Sequence, residues 1–371
     1  MAELNVDFSR RIVFGSISKL GVDIADWGDR AVMVADAALE DAATSIQDQM
    51  DAWGIHTILF ARDGLNCDTA TLNDALSLSR GSHATMIVGI GGQKALSLAR
   101  LTAAASWAGI PAGTILDDRE VVGSGLPVLE IPASGRHPLL FLDTAILSDT
   151  TDRRAAFVRL PRPPRSGVIV DSTLARSRGL GATAESLTVL LAAAVEAFLS
   201  PRASFFSEVQ AEAAVRRCAA LLRNVASEHA DPDFRIREAE TAVLTAFATG
   251  LAGPGPGLTL SWSTAIGAGL PKATVGAVLF PWVLDSPLYA SSPRIGRLAR
   301  LLARDDDEAP GSAVDELQSL TGPLGLPGRL RDVGARLDAV LPAARWAAEI
   351  LGDKRPEQDE STFRDILELA S

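Results

Sequence analysis

Six short runs rich in β-branched and apolar residues, at 11–14, 31–34, 57–60, 86–88, 128–131 and 168–170, alternate with alanine-rich stretches of helical spacing. That alternation admits few folds. Strands joined through helices run parallel, because a crossover helix brings the chain back to the same edge of a sheet. The first 165 residues therefore read as an α/β unit, whose ligands are to be sought beyond the carboxyl ends of its strands. After Leu160-Pro161-Arg162-Pro163-Pro164-Arg165 strands give way to long apolar-periodic stretches at 182–199, 204–227, 234–248 and 273–284, the spacing of buried helices. The breaker-rich residues 251–257 and the charged residues 304–311 read as loops. The predicted organisation is an α/β domain over 1–165 and an all-helical domain over 166–371, and 371 residues suffice for two cores.

The charge balance narrows the partners. With 46 acidic against 35 basic side chains, a net charge of -11 and no basic block, nucleic acid and anionic membrane are not expected as partners. The apolar stretch 187–199 is read as too short to span a bilayer and contains Glu196. Cys67 and Cys218 stand far apart, outside any metal-thiolate spacing, as expected of a chain in a reducing cytoplasm. The first residues are acidic where a leader would be basic, so no export is expected.

Two signals point to a nucleotide. Gly91-Gly92-Gln93-Lys94 follows a strand and opens a helix. Glycines at such a junction let backbone amides approach a pyrophosphate, and the helix start adds partial positive charge. The same sequence also suits an ordinary tight turn. Asp36 ends the run at 31–34, where a carboxylate accepts from an adenosine ribose and repels a 2′-phosphate, favouring NAD over NADP. An aspartate there equally suits a helix N-cap.

Together with these signals, Arg11-Ile12-Val13-Phe14-Gly15, Val34-Ala35-Asp36, Leu129-Glu130-Ile131-Pro132, Val168-Ile169-Val170-Asp171 and Ala194-Val195-Glu196-Ala197-Phe198-Leu199-Ser200 stand in a familiar order. So do Leu326-Pro327-Gly328-Arg329-Leu330, Ala344-Arg345-Trp346-Ala347-Ala348 and Thr362-Phe363-Arg364-Asp365-Ile366. The chain resembles the iron-containing (group III) alcohol dehydrogenases over nearly its whole length. The resemblance implies a dehydroquinate synthase-like fold: an NAD(P)-binding α/β domain, an all-α domain and a divalent metal held in a cleft between them. It also implies cofactor contacts from Asp36, Gly91, Gly92, Gln93 and Lys94, with Ser134 in the loop toward the nicotinamide.

Departures from the family pattern are concentrated at the chemistry. Ser97 replaces a usual aspartate, and Ala133-Ser134-Gly135-Arg136-His137 replaces the family's threonine- and glycine-rich segment. The aspartate and histidine that the family places four residues apart, on one face of a helix, correspond to Val189 and Ala193. Aligned from Gly276-Ala277-Val278-Leu279-Phe280-Pro281, the two further ligands fall near Leu260 and on Lys272, and a proton-transfer histidine near Thr264. Of the four histidines, His56, His83, His137 and His229, only His229 lies in the helical half. An ammonium group has no lone pair and repels a divalent cation, so no metal is expected.

Three functions follow from a fold kept without its metal ligands. One is an accessory protein that forms a homo-oligomer, or a heteromer with an intact dehydrogenase homologue, and presents substrate to it. Another is a metal-independent, NAD(H)-dependent oxidoreductase for a small alcohol or carbonyl compound, with Lys272 stabilising a developing alkoxide; Lys272 equally suits a solvated helix start. The third is a lyase or cyclase similar to dehydroquinate synthase, whose basic and histidine-bearing site has no counterpart in this sequence. His137, beside Arg136, is open to an anion-binding role or to none.

Overall fold

The computed structural model describes residues 10–19, 24–133, 137–152, 154–174, 179–304, 310–352 and 358–371. Six parallel strands form one sheet in the order β1-β8-β5-β4-β2-β3: β1 (Arg11–Phe14), β2 (Arg30–Asp36), β3 (His56–Arg62), β4 (Met86–Gly91), β5 (Val128–Pro132) and β8 (Ser166–Val170). All six expected strands are present. A second, antiparallel pair, β6 (Thr144–Asp149) and β7 (Arg154–Arg159), was not anticipated. Helices α1 (Glu40–Ala52), α2 (Thr69–Gly81), α3 (Gln93–Ala105) and α4 (Ala112–Asp118) join the strands.

Strand periodicity explains the two cores of this unit. In β2, Val32 and Val34 pack with Leu72, Ile87 and Leu98, whereas the alternate residues Met33 and Ala35 pack with Met50, Val88 and Ile90. Successive side chains of a strand point to opposite faces, so both faces of the sheet are covered. β4 is buried along its entire length. Helix α3 is fixed by a bidentate ion pair beneath the surface. Arg100 Nε donates to Glu130 Oε1 at 2.7 Å and Nη2 to Oε2 at 2.9 Å, and Nη1 reaches the Thr144 carbonyl at 3.1 Å.

The helical unit is built on α5 (Leu180–Leu199), α6 (Phe205–Glu228), α7 (Pro232–Ala252), α8 (Pro256–Ala268) and α9 (Lys272–Leu284), followed by shorter helices to Ala370. Ser204 and Ser207 cap α6 reciprocally, Asp231 caps α7, and Gly269 ends α8 in the left-handed region. Helix α5 corrects one expectation. Its 20 residues are long and apolar enough to cross a membrane, but 83% of its most apolar window is buried within the protein. It is packed as a core helix, with Leu187, Leu190, Leu191 and Phe198 among Phe234, Leu279 and Phe363.

The boundary at 165/166 is also corrected. One compact unit takes in the described residues up to His137 and again from Asp143 to Leu174; the other takes Pro138–Leu142 and everything described from Gly179 onward. The prolines at 161–164 do not end the α/β unit, because β8 follows them and hydrogen-bonds between β1 and β5. The excursion at Pro138–Leu142 belongs with the helices: the Phe141 ring stacks on Phe247, with centroids 4.2 Å apart.

Candidate functional site

The strand order reverses between β2 and β4. Chain travel from β2 moves outward to β3 and then returns to the other side of β2 as β4. Such a reversal opens a crevice at the carboxyl ends of the strands, where α/β sheets take ligands. Asp36 ends β2 and Gly91 ends β4 on that edge. A Cβ built on Gly91 would lie 4.0 Å from the Asp36 amide and 3.0 Å from the Ala95 Cβ, and the Gly91 φ is +139°. The turn into α3 therefore requires glycine there.

Gly92 is the N-cap of α3 and carries no side chain to cap it, while a Cβ placed on it would meet nothing within 4 Å. The start of α3 is therefore open to solvent at Gly92, as a phosphate site at a helix N-terminus requires. Lys94 extends across this edge, its Nζ donating to Asn66 Oδ1 at 2.6 Å. The Asp36 carboxylate accepts from the Ala38 amide at 3.1 Å and so caps the short 3₁₀ turn Ala37–Leu39. One bond leaves lone pairs available for a ribose hydroxyl, so capping and cofactor contact are compatible in one residue. The residues present fit a dinucleotide. Asp36, Gly91, Gly92, Gln93 and Lys94 are brought together; Ser134 lies outside the described residues.

Two neighbours were missed in the sequence. Arg62 pairs in register with Asp36 at the end of β3, its guanidinium 2.8 Å from Asp74 and lying over the Phe60 ring. Asn66 holds Lys94. The expected strand stopped at 60, two residues short of the one that places Arg62 there. Ser97 turns away from this edge, its hydroxyl accepting from the Ile146 amide at 3.4 Å, and His137 is buried.

In the helical unit, three of the four residues that the resemblance sets against metal ligands, Val189, Ala193 and Leu260, are aliphatic. Ala193 and Leu260 are buried in the core, and Thr264 is fully buried with its hydroxyl unpartnered. Val189 presses against α9: a Cβ on Gly276 would lie 2.7 Å from Val189 Cγ2. Beside Val189 and Gly276 lies a cavity of about 10 Å³, room for one water, and of those positions only Val189 lines it. Lys272 is the half-buried first residue of α9, and its turn is fastened to α5 by a 2.7 Å hydrogen bond from Thr274 to Glu185. Among the described residues no three His, Cys, Asp or Glu side chains converge. Alkyl groups, a lone hydroxyl and an ammonium do not fit a divalent cation.

One further titratable group lies near this seam. Glu196, buried in α5, accepts from the amides of Gly257 (2.5 Å) and Leu258 (2.9 Å) and from the hydroxyl of Tyr289 (2.6 Å). Its carboxylate thereby caps α8, whose own N-cap is Gly255. Burial pushes its pKa up to about 7, against the lowering effect of those three donors. Sequence alone offers no sign of this contact, since its partners lie far along the chain.

Comparison with known proteins agrees with this architecture. The iron-containing alcohol dehydrogenase family model matches residues 9–154, and the C-terminal model of the Fe-containing alcohol dehydrogenase family matches residues 183–370. Long-chain-alcohol dehydrogenase 1 of Geobacillus thermodenitrificans (strain NG80-2) is 26% identical over 310 residues, covering 80% of this chain and 77% of that protein. The crystal structure of a 1,3-propanediol oxidoreductase superposes with a TM-score of 0.87 at 20% identity, covering both chains fully. Sulfoacetaldehyde reductase from Bifidobacterium kashiwanohense, solved in complex with NAD+, superposes with a TM-score of 0.80 at 16% identity, over 100% of this chain and 99% of that one.

Proposed function

The chain belongs to the iron-containing alcohol dehydrogenase family, and from that membership we propose that it binds NAD(H) without a catalytic metal and serves as an accessory, substrate-presenting partner of an intact relative. The observation that carries this reading is the contrast between its two units. Gly92 is open to solvent at the start of α3, whereas Val189, which the resemblance sets against a metal ligand, is packed against Gly276. A bound nicotinamide would supply hydride transfer. The chain's own contribution is binding: the Gly92–Lys94 turn receives the pyrophosphate, and the Asp36 carboxylate accepts from the ribose and repels a 2′-phosphate. The NAD+ complex of the sulfoacetaldehyde reductase supports the choice of cofactor.

A second reading rests on Lys272. A cation at the first residue of a helix sits at the end where positive charge is disfavoured. A lysine kept there suits stabilisation of a developing alkoxide in a metal-independent oxidoreductase.

Three measurements separate the readings. Calorimetric titration should show NADH binding more tightly than NADPH, with the preference weakened in Asp36→Ala. Co-expression with an intact family member, followed by size-exclusion chromatography with light scattering, should yield a stable complex. The chain alone should not oxidise NADH with small aldehydes. Turnover by the isolated chain that disappears in Lys272→Met would replace the accessory reading by the second one, and failure of both dinucleotides to bind would remove the cofactor from either.

A further inference from the structure

The helical unit holds a cavity of about 580 Å³ at the carboxyl end of α5, within the range of roughly 300–1,000 Å³ typical of small-molecule sites. Its rim is stiff. Pro201, Pro254, Pro256 and Pro293 all line it, and each fixes its own φ, so little backbone freedom remains to be lost on binding.

The lining carries two arginines, Arg202 and Arg294. The Arg202 guanidinium makes no hydrogen bond or ion pair among the described residues. It lies across Gly253, where an added Cβ would come within 2.1 Å of Arg202 Nη2, and the Gly253 φ is +76°. That positive φ suits glycine whatever the space. Arg294, also in the lining, is committed elsewhere: Nη1 donates to the carbonyls of Phe198 (3.1 Å) and Ser200 (3.0 Å), and Nη2 lies 3.3 Å from Glu208. Glu196, the only carboxylate among the described lining residues, is engaged by Gly257, Leu258 and Tyr289 and makes no ion pair with Arg202.

We propose that this cavity binds a small molecule bearing a carboxylate or phosphate group, whose oxygens meet the Arg202 guanidinium and the Ser291 and Ser292 hydroxyls while its apolar part lies against Leu199 and Leu288. A guanidinium fork matches both oxyanions and bonds them about twice as strongly as a neutral donor does. Charge alone makes the site attractive, and the leucines give it selectivity for more than an inorganic ion. Among the described residues none of the α/β unit lines the cavity, so the inference goes beyond the dinucleotide reading and is independent of it.

The test is isothermal titration of the full chain with inorganic phosphate and, separately, with succinate, in wild type, Arg202→Gln, Arg202→Lys and Gly92→Asp. The last variant places an aspartate at the N-cap of α3, where it suits the helix and repels an anion from the glycine turn. Binding that persists in Gly92→Asp, falls roughly tenfold in Arg202→Gln and partly returns in Arg202→Lys is expected; the tighter of the two ions identifies the head group. Arg202 is exposed, so the Gln variant should melt with wild type. Undiminished binding in Arg202→Gln, loss of binding in Gly92→Asp, or no binding of either ion at millimolar concentration would overturn the assignment.

Discussion

Glu196 places a carboxyl group among leucines and alanines, and its three donors compensate the burial only in part, since its pKa remains raised to about 7 from 4.5. The linkage has a definite sign. Between about 4.5 and about 7 the folded protein retains a proton that the unfolded chain has released, so stability falls as pH rises through that window and is level above it. The loss amounts to about 3 kcal/mol. Glu196→Gln removes the titration but leaves one α8 amide facing a group that cannot accept, a cost of about 1 kcal/mol. The variant should therefore be less stable than wild type at pH 5 and equal or better at pH 8, with stability nearly independent of pH between. Urea denaturation at both values measures this, and a variant that keeps the wild-type slope would show that another group carries the dependence. The same side chain illustrates what sequence conceals. An acid in an apolar helix is visible, but that it caps a helix some 60 residues downstream depends on packing.

The close approach of α5 and α9 rests on the absence of a side chain at one position. Gly276 permits the close approach of Val189, and its replacement by alanine puts a Cβ 2.7 Å from Val189 Cγ2. Valine has little χ1 freedom in a helix with which to yield. Gly276→Ala should destabilise the protein by about 1–3 kcal/mol, and Val189→Ala in that background should recover much of the loss, giving non-additive free energies. Additive effects would mean that the two helices do not meet there. Elements of this length were largely legible. The β-branched runs gave the six sheet strands, and apolar periodicity gave the principal helices, because in both cases the burial pattern matches the local period. The β6–β7 pair escaped because Arg154–Arg159 alternates only weakly and its strand runs between arginines. The proline run was misread as a domain end because prolines mark a break in hydrogen bonding, which a loop between β7 and β8 satisfies as well as a linker does. The glycine turn was legible because backbone chemistry dictates its residue types; the Arg202 cavity was not, since its walls come from segments far apart in sequence.

For the molecule as a whole, two compact units with separate cores mean that ligands need not stabilise both. Anything that binds the folded state alone raises stability by RT ln(1 + [L]/Kd), about 2.7 kcal/mol at a hundredfold excess over Kd. NADH held at the glycine turn acts on the α/β unit, whose sheet and helix α3 form that turn. A metal gripped by helices would act on the other unit, but Val189, Ala193, Leu260 and Lys272 offer nothing for it to grip. Differential scanning calorimetry should therefore separate the two effects. NADH is expected to raise the transition in which the α/β unit unfolds, whereas prolonged treatment with a chelator should move no transition. If the units unfold together as one cooperative transition, that transition rises with NADH and still ignores the chelator. A chelator that lowers any melting transition, with recovery on adding back iron or zinc, would mean that a metal is bound through residues other than those four, and the proposal of a metal-free protein would fall with it.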